Sequence, residues 1–567
     1  MANSNLAKNW WTYPVLPDDV NKRLIGYPRF LRQVLFNRGI TDSEQAVIYL
    51  KAQDSRYDPF QLIGMRETVQ RLLQAIDQQE GIAIYGDYDV DGVTATALMV
   101  QVLQRFGGHV DRYIPNRFDE GYGLNNSSLD EIKKMFNSKV ILTVDCGIRS
   151  PREAEYAREL GIDLIITDHH FPQDVLPNAF SIICPKQEND PYPFKELSGV
   201  GVAYKIAQAL FTARKVGDWS ADDWLDLVAL GTVSDLVPLV DENRALVRKG
   251  LQQIRYGHRV GIRALCGVAG KDPTRITAGD IGYALGPRLN AAGRMESALK
   301  AYELLVTEKM ADAGLIAQEL DDQNTGRQKA TRNAQEKAED GISIGEVSNL
   351  ISSFDEEYSS GIVGLVASKL VEHYYRPAIV GSIEGDTIRA SCRSINEFHI
   401  TRALDECADL LLRHGGHSMA AGFTVHKDYK DQLLLKLISI ADRELDGIDL
   451  RPTLKIDIDL ILEEVTPRIY PELEKLQPTG MGNPAALLAL KNIDLADVSL
   501  IGKEKNHLRF KVPGSQVDQA IAFNQSQWYE TWLLRRSKFD LAFSIEINSF
   551  NGKETQQLQV KDMKPSG

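Results

Sequence analysis

The segment IAIYGDYDVDGVTATAL, residues 82–98, constrains the fold of this chain more than any other stretch. The apolar run that opens it is typical of a strand buried on both faces, and the alanine-rich residues that close it predict a helix packed back on that strand. Asp87, Asp89 and Asp91 lie between the two elements, at the carboxyl end of the strand, where open α/β sheets bind ligands. Neighbouring carboxylates repel one another unless a cation neutralises them. The segment therefore predicts either a metal site or a solvated acidic turn that caps the helix.

The same pattern recurs at the ends of later strands. VILTV is followed by Asp145, and IDLIIT is followed by Asp168, His169 and His170. Apolar runs alternate with helical segments over 66–240, which predicts parallel strands whose carboxyl ends share one rim. Independent acidic turns have no reason to fall at the same end of consecutive strands, so the convergence favours a bound cation. Carboxylates with one or two imidazoles suit Mn²⁺ or Mg²⁺ better than zinc.

The composition limits the classes of protein that fit. The 65 Lys+Arg residues against 78 Asp+Glu residues give a formal net charge of −13, which offers no global support for nucleic-acid binding. The five cysteines are scattered without a C-x-x-C pair, which argues against a disulfide framework or a zinc ribbon. No run approaches the ~18 apolar residues of a membrane span, and the N-terminus lacks the pattern of a signal peptide. We therefore expect a cytoplasmic protein.

The length and the changes of pattern divide the chain into several domains. A chain of 567 residues is too long for one hydrophobic core. Residues 300–340 are rich in helix formers and lack proline, which predicts a long helix bridging two α/β domains. From about residue 453 onward, short alternating strands predict a small all-β barrel. The predicted divisions are an N-terminal extension, an α/β domain, a basic helical region with the linking helix, a second α/β domain and the barrel, at 1–65, 66–245, 246–345, 346–448 and 449–567.

Four motifs, YGDYDVDG, TVDCG, TDHH and GTVSDLVPL, resemble the ordered motifs of the DHH phosphoesterase family. Asp235, in the last motif, would on its own be a helix-terminating turn residue. The resemblance implies hydrolysis by one or two Mn²⁺ or Mg²⁺ ions, ligated by Asp89, Asp91, Asp145, His169 and Asp235. It also implies that Asp87 and His170 are further ligands or groups that hold the ligands. The catalytic set would then be Asp87, Asp89, Asp91, His169 and His170.

The resemblance covers about residues 65–560 and is to the members of the family that degrade single-stranded DNA. It implies a monomeric 5′ to 3′ exonuclease that releases mononucleotides in DNA recombination and repair, with a single-strand-binding protein and a RecQ-type helicase as partners. Two other classes fit less well. A DHH pyrophosphatase or short-oligonucleotide phosphodiesterase needs neither a separate barrel nor a chain of this length. A metal-free scaffold requires lost ligands, whereas every matched motif here is intact.

The segment from Arg244 to Lys300 holds 11 Lys and Arg residues against three acids, which predicts a local basic surface that the whole-chain charge conceals. Within it, GPRLNAAGRM resembles a family segment whose arginine, here Arg288, lies near the scissile phosphate. IPNRFDEGYGL likewise resembles a segment whose arginine, here Arg117, reaches a phosphate. Guanidinium groups match phosphate geometry bidentately, so arginine suits both positions. The alternative is a pair of solvated or structural arginines.

The second α/β domain resembles the DHHA1 domain of the same family, through GIVGLVASKLVEHYYRPAIV, ASCRS and GGHSMAAGF. The implied phosphate-binding residues are Ser391, Arg393, Gly415, Gly416 and His417. Glycines beside such side chains permit close approach of the backbone to a phosphate. Cys392 stands where the family usually carries Gly or Ala. The C-terminal barrel resembles the family's oligonucleotide-binding domain, with Thr479 in place of the usual aromatic residue.

Overall fold

The chain forms two compact units in the computed structural model. Unit 1 comprises Met1–Val47, Arg327–Lys475 and Ala485–Gly567, and unit 2 comprises Ile48–Gly326 with Leu476–Pro484. The finer boundaries expected from the sequence stay predictions. None of the described helices is both long and apolar enough to cross a lipid bilayer. The structure describes residues 8–52, 57–116, 120, 123–295, 297–342, 348–535, 538–550 and 553–566.

The secondary structure of the described residues alternates between strands and helices through most of the chain. The strands are β1 (Asn9–Thr12), β2 (Gly81–Gly86), β3 (His109–Tyr113), β4 (Val140–Val144), β5 (Asp163–Thr167), β6 (Ser181–Ile183), β7 (Ile351–Asp355), β8 (Ala378–Glu384), β9 (Thr387–Arg393), β10 (Leu411–His417), β11 (Ala420–His426), β12 (Thr453–Ile456), β13 (Ile458–Leu460), β14 (Leu488–Ile493), β15 (Ala496–Ile501), β16 (His507–Lys511), β17 (Gln519–Ala522), β18 (Phe539–Phe550) and β19 (Lys553–Pro565). The helices are α1 (Asp18–Arg23), α2 (Arg29–Asn37), α3 (Ser43–Lys51), α4 (Met65–Asp77), α5 (Val90–Arg105), α6 (Asn126–Phe136), α7 (Pro151–Glu159), α8 (Gly199–Ala213), α9 (Leu225–Ser234), α10 (Asp241–Tyr256), α11 (Val260–Val268), α12 (Ala278–Asp280), α13 (Gly286–Met295), α14 (Leu299–Val306), α15 (Met310–Asp340), α16 (Val363–Tyr374), α17 (Ile400–Asp405), α18 (Lys430–Leu445), α19 (Ile469–Glu474) and α20 (Gln527–Arg535).

Unit 2 is built on a five-stranded parallel sheet with the strand order β3-β2-β4-β5-β6. Ile82 and Ile84 of β2 pack in the core that contains α5 and α8, whereas Ala83 and Tyr85 pack in the core that contains α6 and α7. Helices on both faces explain why β2 and β4 are nearly continuous apolar runs. The adjacent strands β2, β4 and β5 bring their carboxyl ends together at one rim, as the sequence predicts.

Unit 1 contains a mixed sheet and an all-β domain. The mixed sheet has the order β10-β11-β9-β8-β7, in which β7 and β8 are parallel and the other pairs are antiparallel. The all-β domain has the order β13-β14-β18-β19-β17-β16-β15, built around the long β18–β19 hairpin. The 31-residue helix α15 contains the boundary between the two units. The predicted fold class, two α/β domains joined by a long helix with a C-terminal all-β domain, is confirmed.

Candidate metal centre

The aspartate loop between β2 and α5 is both a helix cap and a cluster of carboxylates. Asp89 is the N-cap of α5, and its Oδ1 accepts a hydrogen bond from the backbone N–H of Gly92 at 3.1 Å. Only glycine fits at Gly92, because a Cβ atom there would lie 2.6 Å from the backbone nitrogen of Asp87. From α13, Oδ1 of Asn290 accepts the N–H of Val90 at 3.2 Å. Sequence reasoning missed Asn290, whose contact spans 200 residues.

Asp91 is held by the start of another helix. Both of its carboxylate oxygens accept backbone N–H groups at the first turn of α8, from Gly199 at 2.5 Å and from Val200 at 2.9 Å. The N-terminus of a helix carries partial positive charge, so it stabilises this buried anion. The position of Asp91 is therefore set before any ligand arrives.

Asp145 follows β4 in an unusual backbone conformation. Its φ is +65°, in the left-handed region that costs most residues free energy but that aspartate and asparagine tolerate better than others. Cys146 then forms an isolated bridge with Thr167 at the end of β5. This turn keeps the carboxylate of Asp145 buried at the rim rather than letting it follow the strand direction.

The three residues after β5 have different tasks. Asp168 faces its own loop: its Oδ2 accepts the N–H of Ile148 at 3.0 Å, and its Oδ1 lies 2.7 Å from Nδ1 of His170. Burial alone would raise the pKa of Asp168, but the hydrogen bond and charge of His170 lower it to about 2. Asp168 therefore orients His170 and the loop, and it leaves His169 to meet the other strand ends.

The predicted ligands converge around His169. Its Nε2 lies 3.1 Å from Oδ1 of Asp145, 3.6 Å from Oδ2 of Asp235 and 4.0 Å from Oδ2 of Asp91. Asp235 reaches this point because it is the C-cap of α9. Sets of possible ligand atoms that lie within 4.8 Å of one another are Asp145, His169 and His170; Asp91, His169 and Asp235; and Asp87, Asp89 and Asp145.

The electrostatics of this cluster favour a cation. Burial and the charge of Asp89 raise the pKa of Asp91 to about 7. Burial and the charges of Asp91 and Asp89 raise the pKa of Asp235 to about 9, and burial raises that of Asp145 well above its usual range. Burial also lowers the pKa of His169 to about 3, so its imidazole is neutral. The cluster is therefore unfavourable when all its carboxylates are ionised, unless a positive ion lies among them.

The atoms that face one another also lack hydrogen-bond partners. Oδ1 of Asp145, Oδ2 of Asp235 and Nε2 of His169 are buried, and none makes a hydrogen bond to any residue that the structure describes. Such atoms are costly unless something else binds them. Carboxylate oxygens with one neutral imidazole form a donor set that suits Mn²⁺ or Mg²⁺, so the residues present fit the metal that the sequence indicates.

The arginines expected near a phosphate differ in their surroundings. Arg288, on α13 in unit 2, pairs with Asp321 at 2.8 Å and donates to the backbone oxygen of Ala284 at 2.8 Å. Its helix is the one whose Asn290 contacts the aspartate loop. Arg117 lies outside the described residues.

Part of the predicted basic surface of 244–300 is paired with acids or buried in unit 2, so the surface is smaller than the charge count implies. Arg244 is buried and donates to the backbone oxygens of Leu476, Gln477 and Pro478. Other cations of the segment pair with acids, several of which lie outside it. These pairs are Arg259–Asp226, Lys271–Asp280, Arg288–Asp321 and Lys300–Glu319. A count of charges within one segment could not include partners that only the fold brings close.

The predicted phosphate-binding residues of the second α/β domain lie in unit 1. Ser391 and Arg393 share one face of β9, next to Gly364 in the first turn of α16, where a Cβ atom would lie 3.1 Å from a guanidinium nitrogen of Arg393. Cys392 points to the opposite face and is buried in the core, so its departure from the family pattern does not alter that surface. His417 is exposed at the end of β10.

Gly199 offers a direct test of the metal centre. A Cβ atom there would lie 2.5 Å from Cβ of Asp145, so we expect Gly199→Ala to displace this carboxylate and to weaken Mn²⁺ binding about 10- to 100-fold. The matched control is Gly201→Ala on the same helix, where the nearest atom belongs to Leu197 at 3.3 Å and can shift. Isothermal titration with Mn²⁺ measures both variants. Equal affinities would contradict the assignment of Asp145 as a ligand.

Comparison with known proteins identifies the family of this chain. The family model for the N-terminal domain of the DHH family matches residues 81–232, that for the DHHA1 domain matches 346–443, and that for the RecJ OB domain matches 456–562. The crystal structure of RecJ in complex with Mn²⁺ from Thermus thermophilus superposes with a TM-score of 0.85 and 28% identity, over 99% of this chain and 80% of that one. The Mg²⁺ complex of RecJ from the same organism gives 0.77 and 26%, over 99% and 79%.

Sequence similarity over most of this chain extends the comparison. The single-stranded-DNA-specific exonuclease RecJ of Bacillus subtilis is 41% identical over 538 residues, which are 93% of this chain and 67% of the relative. The protein of the same name from Escherichia coli K12 is 33% identical over 570 residues, 95% of this chain and 96% of the relative. Similarity at this level, sustained through all three domains in the same order, has one explanation: the chain belongs to the RecJ family of single-stranded-DNA-specific exonucleases.

Proposed function

We propose that this protein hydrolyses single-stranded DNA from the 5′ end and releases mononucleotides in a reaction that requires Mn²⁺ or Mg²⁺. The observation that carries the proposal is the meeting of buried atoms of Asp145, His169 and Asp235 that have no hydrogen-bond partner among the described residues. The similarity to single-stranded-DNA-specific exonucleases supports this class of substrate, and the Thermus structures support this class of metal.

The metal ligands in this proposal come from three strand ends and one helix end. They are Asp89, Asp91, Asp145, His169 and Asp235. When bound, one or two ions activate a water molecule for attack and neutralise the charge on the leaving oxygen. Asp87 and His170 complete the catalytic set, as further ligands or as groups that hold the ligands. Asp168 fixes the imidazole of His170 through Nδ1, and α8 fixes Asp91, so this chain arranges its donors in advance.

The DNA phosphates in this proposal contact five side chains, which are Arg117, Arg288, Ser391, Arg393 and His417. Ser391 and Arg393 supply the anchor for the 5′-terminal phosphate, together with the first turn of α16, where backbone N–H groups favour an anion. Burial lowers the pKa of Arg393, which means that its charge is poorly solvated and gains from a bound phosphate. Such an anchor favours digestion from the 5′ end, because it accepts a terminal phosphate group.

Digestion of end-labelled DNA tests the proposed activity. Single-stranded DNA labelled at its 5′ or 3′ end is incubated with Mn²⁺, with Mg²⁺ or with excess chelator, and product lengths are resolved on a sequencing gel. We expect labelled mononucleotides to leave first from the 5′ label, and no cleavage in chelator. Blunt duplex DNA and circular single strands should resist. Cleavage in chelator, efficient cutting of the circle or early release of a 3′ label would each refute the proposal.

Arg393→Ala tests the anchor separately. Loss of one charge-assisted contact to phosphate costs about 2 kcal/mol, so kcat/KM on 5′-phosphorylated single strands should fall about 30-fold while Mn²⁺ affinity is unchanged. The control is Arg389→Ala, an exposed cation on the same face of β9 that pairs with Glu384 at 3.6 Å. It should keep nearly full activity. If Arg393→Ala lowers activity on 5′-hydroxyl strands as much as on 5′-phosphate strands, the anchor lies elsewhere.

We further propose that the protein acts as a cytoplasmic monomer in DNA recombination and repair, with a single-strand-binding protein and a RecQ-type helicase as partners. A helicase supplies the single strand that the enzyme requires, and a single-strand-binding protein keeps that strand open. Sedimentation of the purified chain tests the first part, and stimulation of digestion by each partner tests the second. An unchanged rate with both partners would contradict the partnership.

A further inference from the structure

Phe171 is an apolar ring in an unusual position. It directly follows His170, yet 61% of its surface is exposed to solvent. Nε of Arg149 donates to the backbone oxygen of Phe171 at 2.8 Å and so holds the backbone of this residue at the surface. A large exposed aromatic side chain beside a reactive centre is costly in water and gains from a planar partner.

Lys186 lies over this ring, in the segment that follows strand β6. It follows β6, which pairs with β5 so that Ile183 lies beside Thr167, and Sγ of Cys184 donates to the backbone oxygen of His170 at 3.4 Å. These contacts bring the Lys186 segment against the loop of the metal centre. Its Nζ lies 4.8 Å from the centre of the Phe171 ring, within the range of a cation–π interaction.

The ammonium of Lys186 is incompletely paired. Only 12% of its side chain is exposed, and the acid that pairs with it among the described residues is Glu196, at 3.8 Å. Phe171 directly follows His170, so the ammonium over its ring lies beside the loop of the metal centre. Neither the motifs nor the local charge count pointed to Lys186, because it lies in CPKQEND, between motifs.

We propose that Lys186 and Phe171 together bind the nucleotide that is being cleaved: the ammonium donates to a phosphate oxygen, and the exposed face of the ring stacks on a base. The inference rests on the proposed nuclease function and adds two substrate-positioning residues to it. An ammonium at this point supplies a charge-assisted hydrogen bond to a phosphate. Stacking accepts any of the four bases, so this contact would not depend on the sequence of the strand.

Two substrates separate the two contacts. One is a 5′-phosphorylated single strand, and the other is the same strand with abasic residues at its two 5′-terminal positions. Phe171→Ala should raise KM about tenfold on the normal strand, the loss of one base–aromatic stack, and should leave the abasic strand unaffected. Phe171→Trp should restore the normal KM. Lys186→Met should lower kcat/KM about tenfold or more on both strands, since both carry the phosphate. Lys186→Arg keeps the positive charge and should retain most of the kcat/KM of the unmodified protein.

Matched controls exclude nonspecific effects. Phe180→Ala removes another exposed ring of the same loop, and Lys215→Met removes an exposed cation of the same unit. Both should behave as the unmodified protein. Mn²⁺ titration should give unchanged affinity for Phe171→Ala and unchanged or tighter binding for Lys186→Met, because a neighbouring positive charge is lost. Damage to the site would instead weaken Mn²⁺ binding.

The outcomes distinguish this inference from the proposed function. If the unmodified protein does not cut single-stranded DNA in Mn²⁺, the proposed function fails. If it cuts, but Lys186→Met is fully active or Phe171→Ala loses as much on the abasic strand as on the normal one, the nucleotide contact is refuted. Should Phe171→Ala not fold, Phe171→Leu replaces it, since leucine keeps the apolar surface and lacks the stacking face.

Discussion

Asp145→Asn is expected to lower the rate of single-strand hydrolysis about 10³-fold, which corresponds to about 4 kcal/mol of transition-state stabilisation. The side chain keeps its shape, and asparagine tolerates the left-handed φ of +65° as aspartate does, so the backbone turn should persist. What changes is the charge of an oxygen that lies 3.1 Å from Nε2 of His169. Steady-state kinetics in Mn²⁺ measure the loss.

Metal removal gives the same prediction a second readout. In excess chelator, the midpoint of thermal unfolding of Asp145→Asn should be equal to or above that of the unmodified protein, because one repelling carboxylate is gone. In Mn²⁺, only the unmodified protein should gain substantially, since a ligand stabilises the state that binds it. The control is Asp174→Asn, an exposed acid in the loop after β5. A variant that is unstable in chelator would show that Asp145 has a structural role, and one that is fully active in Mn²⁺ would show that Asp145 is not a required ligand.

Glu242→Ala is expected to destabilise unit 2 by about 3–5 kcal/mol, the cost of leaving a buried charge uncompensated. Lys205 and Glu242 are both fully buried, with Nζ of Lys205 2.8 Å from Oε1 of Glu242. The hydroxyl of Tyr192 donates to the other oxygen of Glu242 at 2.5 Å. Lys205 lies on α8, the helix whose first turn holds Asp91. We therefore expect the substitution to disturb the position of Asp91 in the metal centre as well. Urea unfolding followed by tryptophan fluorescence measures the change.

Two further variants serve as controls for the destabilisation expected of Glu242→Ala. Lys205→Met combined with Glu242→Leu removes both charges, and it should be less destabilised than Glu242→Ala alone, because no charge is left without its partner. Glu319→Ala breaks the exposed pair with Lys300 in the same unit and should cost no more than about 1 kcal/mol. A double variant as unstable as Glu242→Ala would mean that packing, and not charge, explains the loss.

The local sequence is sufficient to place a candidate ligand that directly follows a buried strand. β2, β4 and β5 are recognisable as buried strands from their apolar runs, and the residue that follows a parallel strand must lie at its carboxyl rim. Asp145 and His169 can therefore be placed together from the pattern of the chain alone. Asp235 is harder to place, since a helix end carries no such geometric rule, and the motif resemblance rather than the pattern brings it into the set.

The charge of a surface could not be predicted from the residues of one segment. The excess of cations over 244–300 predicted a local basic surface, but not all of these cations are available to it: Arg244 donates to the carbonyl groups of 476–478, and Arg259 pairs with Asp226. A long flexible side chain has no preferred partner in its own segment, so its pairing depends on whatever the fold places beside it. For the same reason, no sequence pattern indicated a role for Lys186. The role that we propose for this cation depends on its position in the fold and not on its neighbours along the chain.

The sequence by itself determined the class of this protein: which strands are buried, which acids and imidazoles stand at their ends, and that these donors suit Mn²⁺ or Mg²⁺. These properties follow from contacts between residues that are near in the chain. Only the tertiary structure decided which atoms meet. The hydrogen bonds from α8 to Asp91 span 108 and 109 residues, and that from Val90 to Asn290 spans 200. No local pattern encodes such contacts, because they form only when separate helices pack against the same rim.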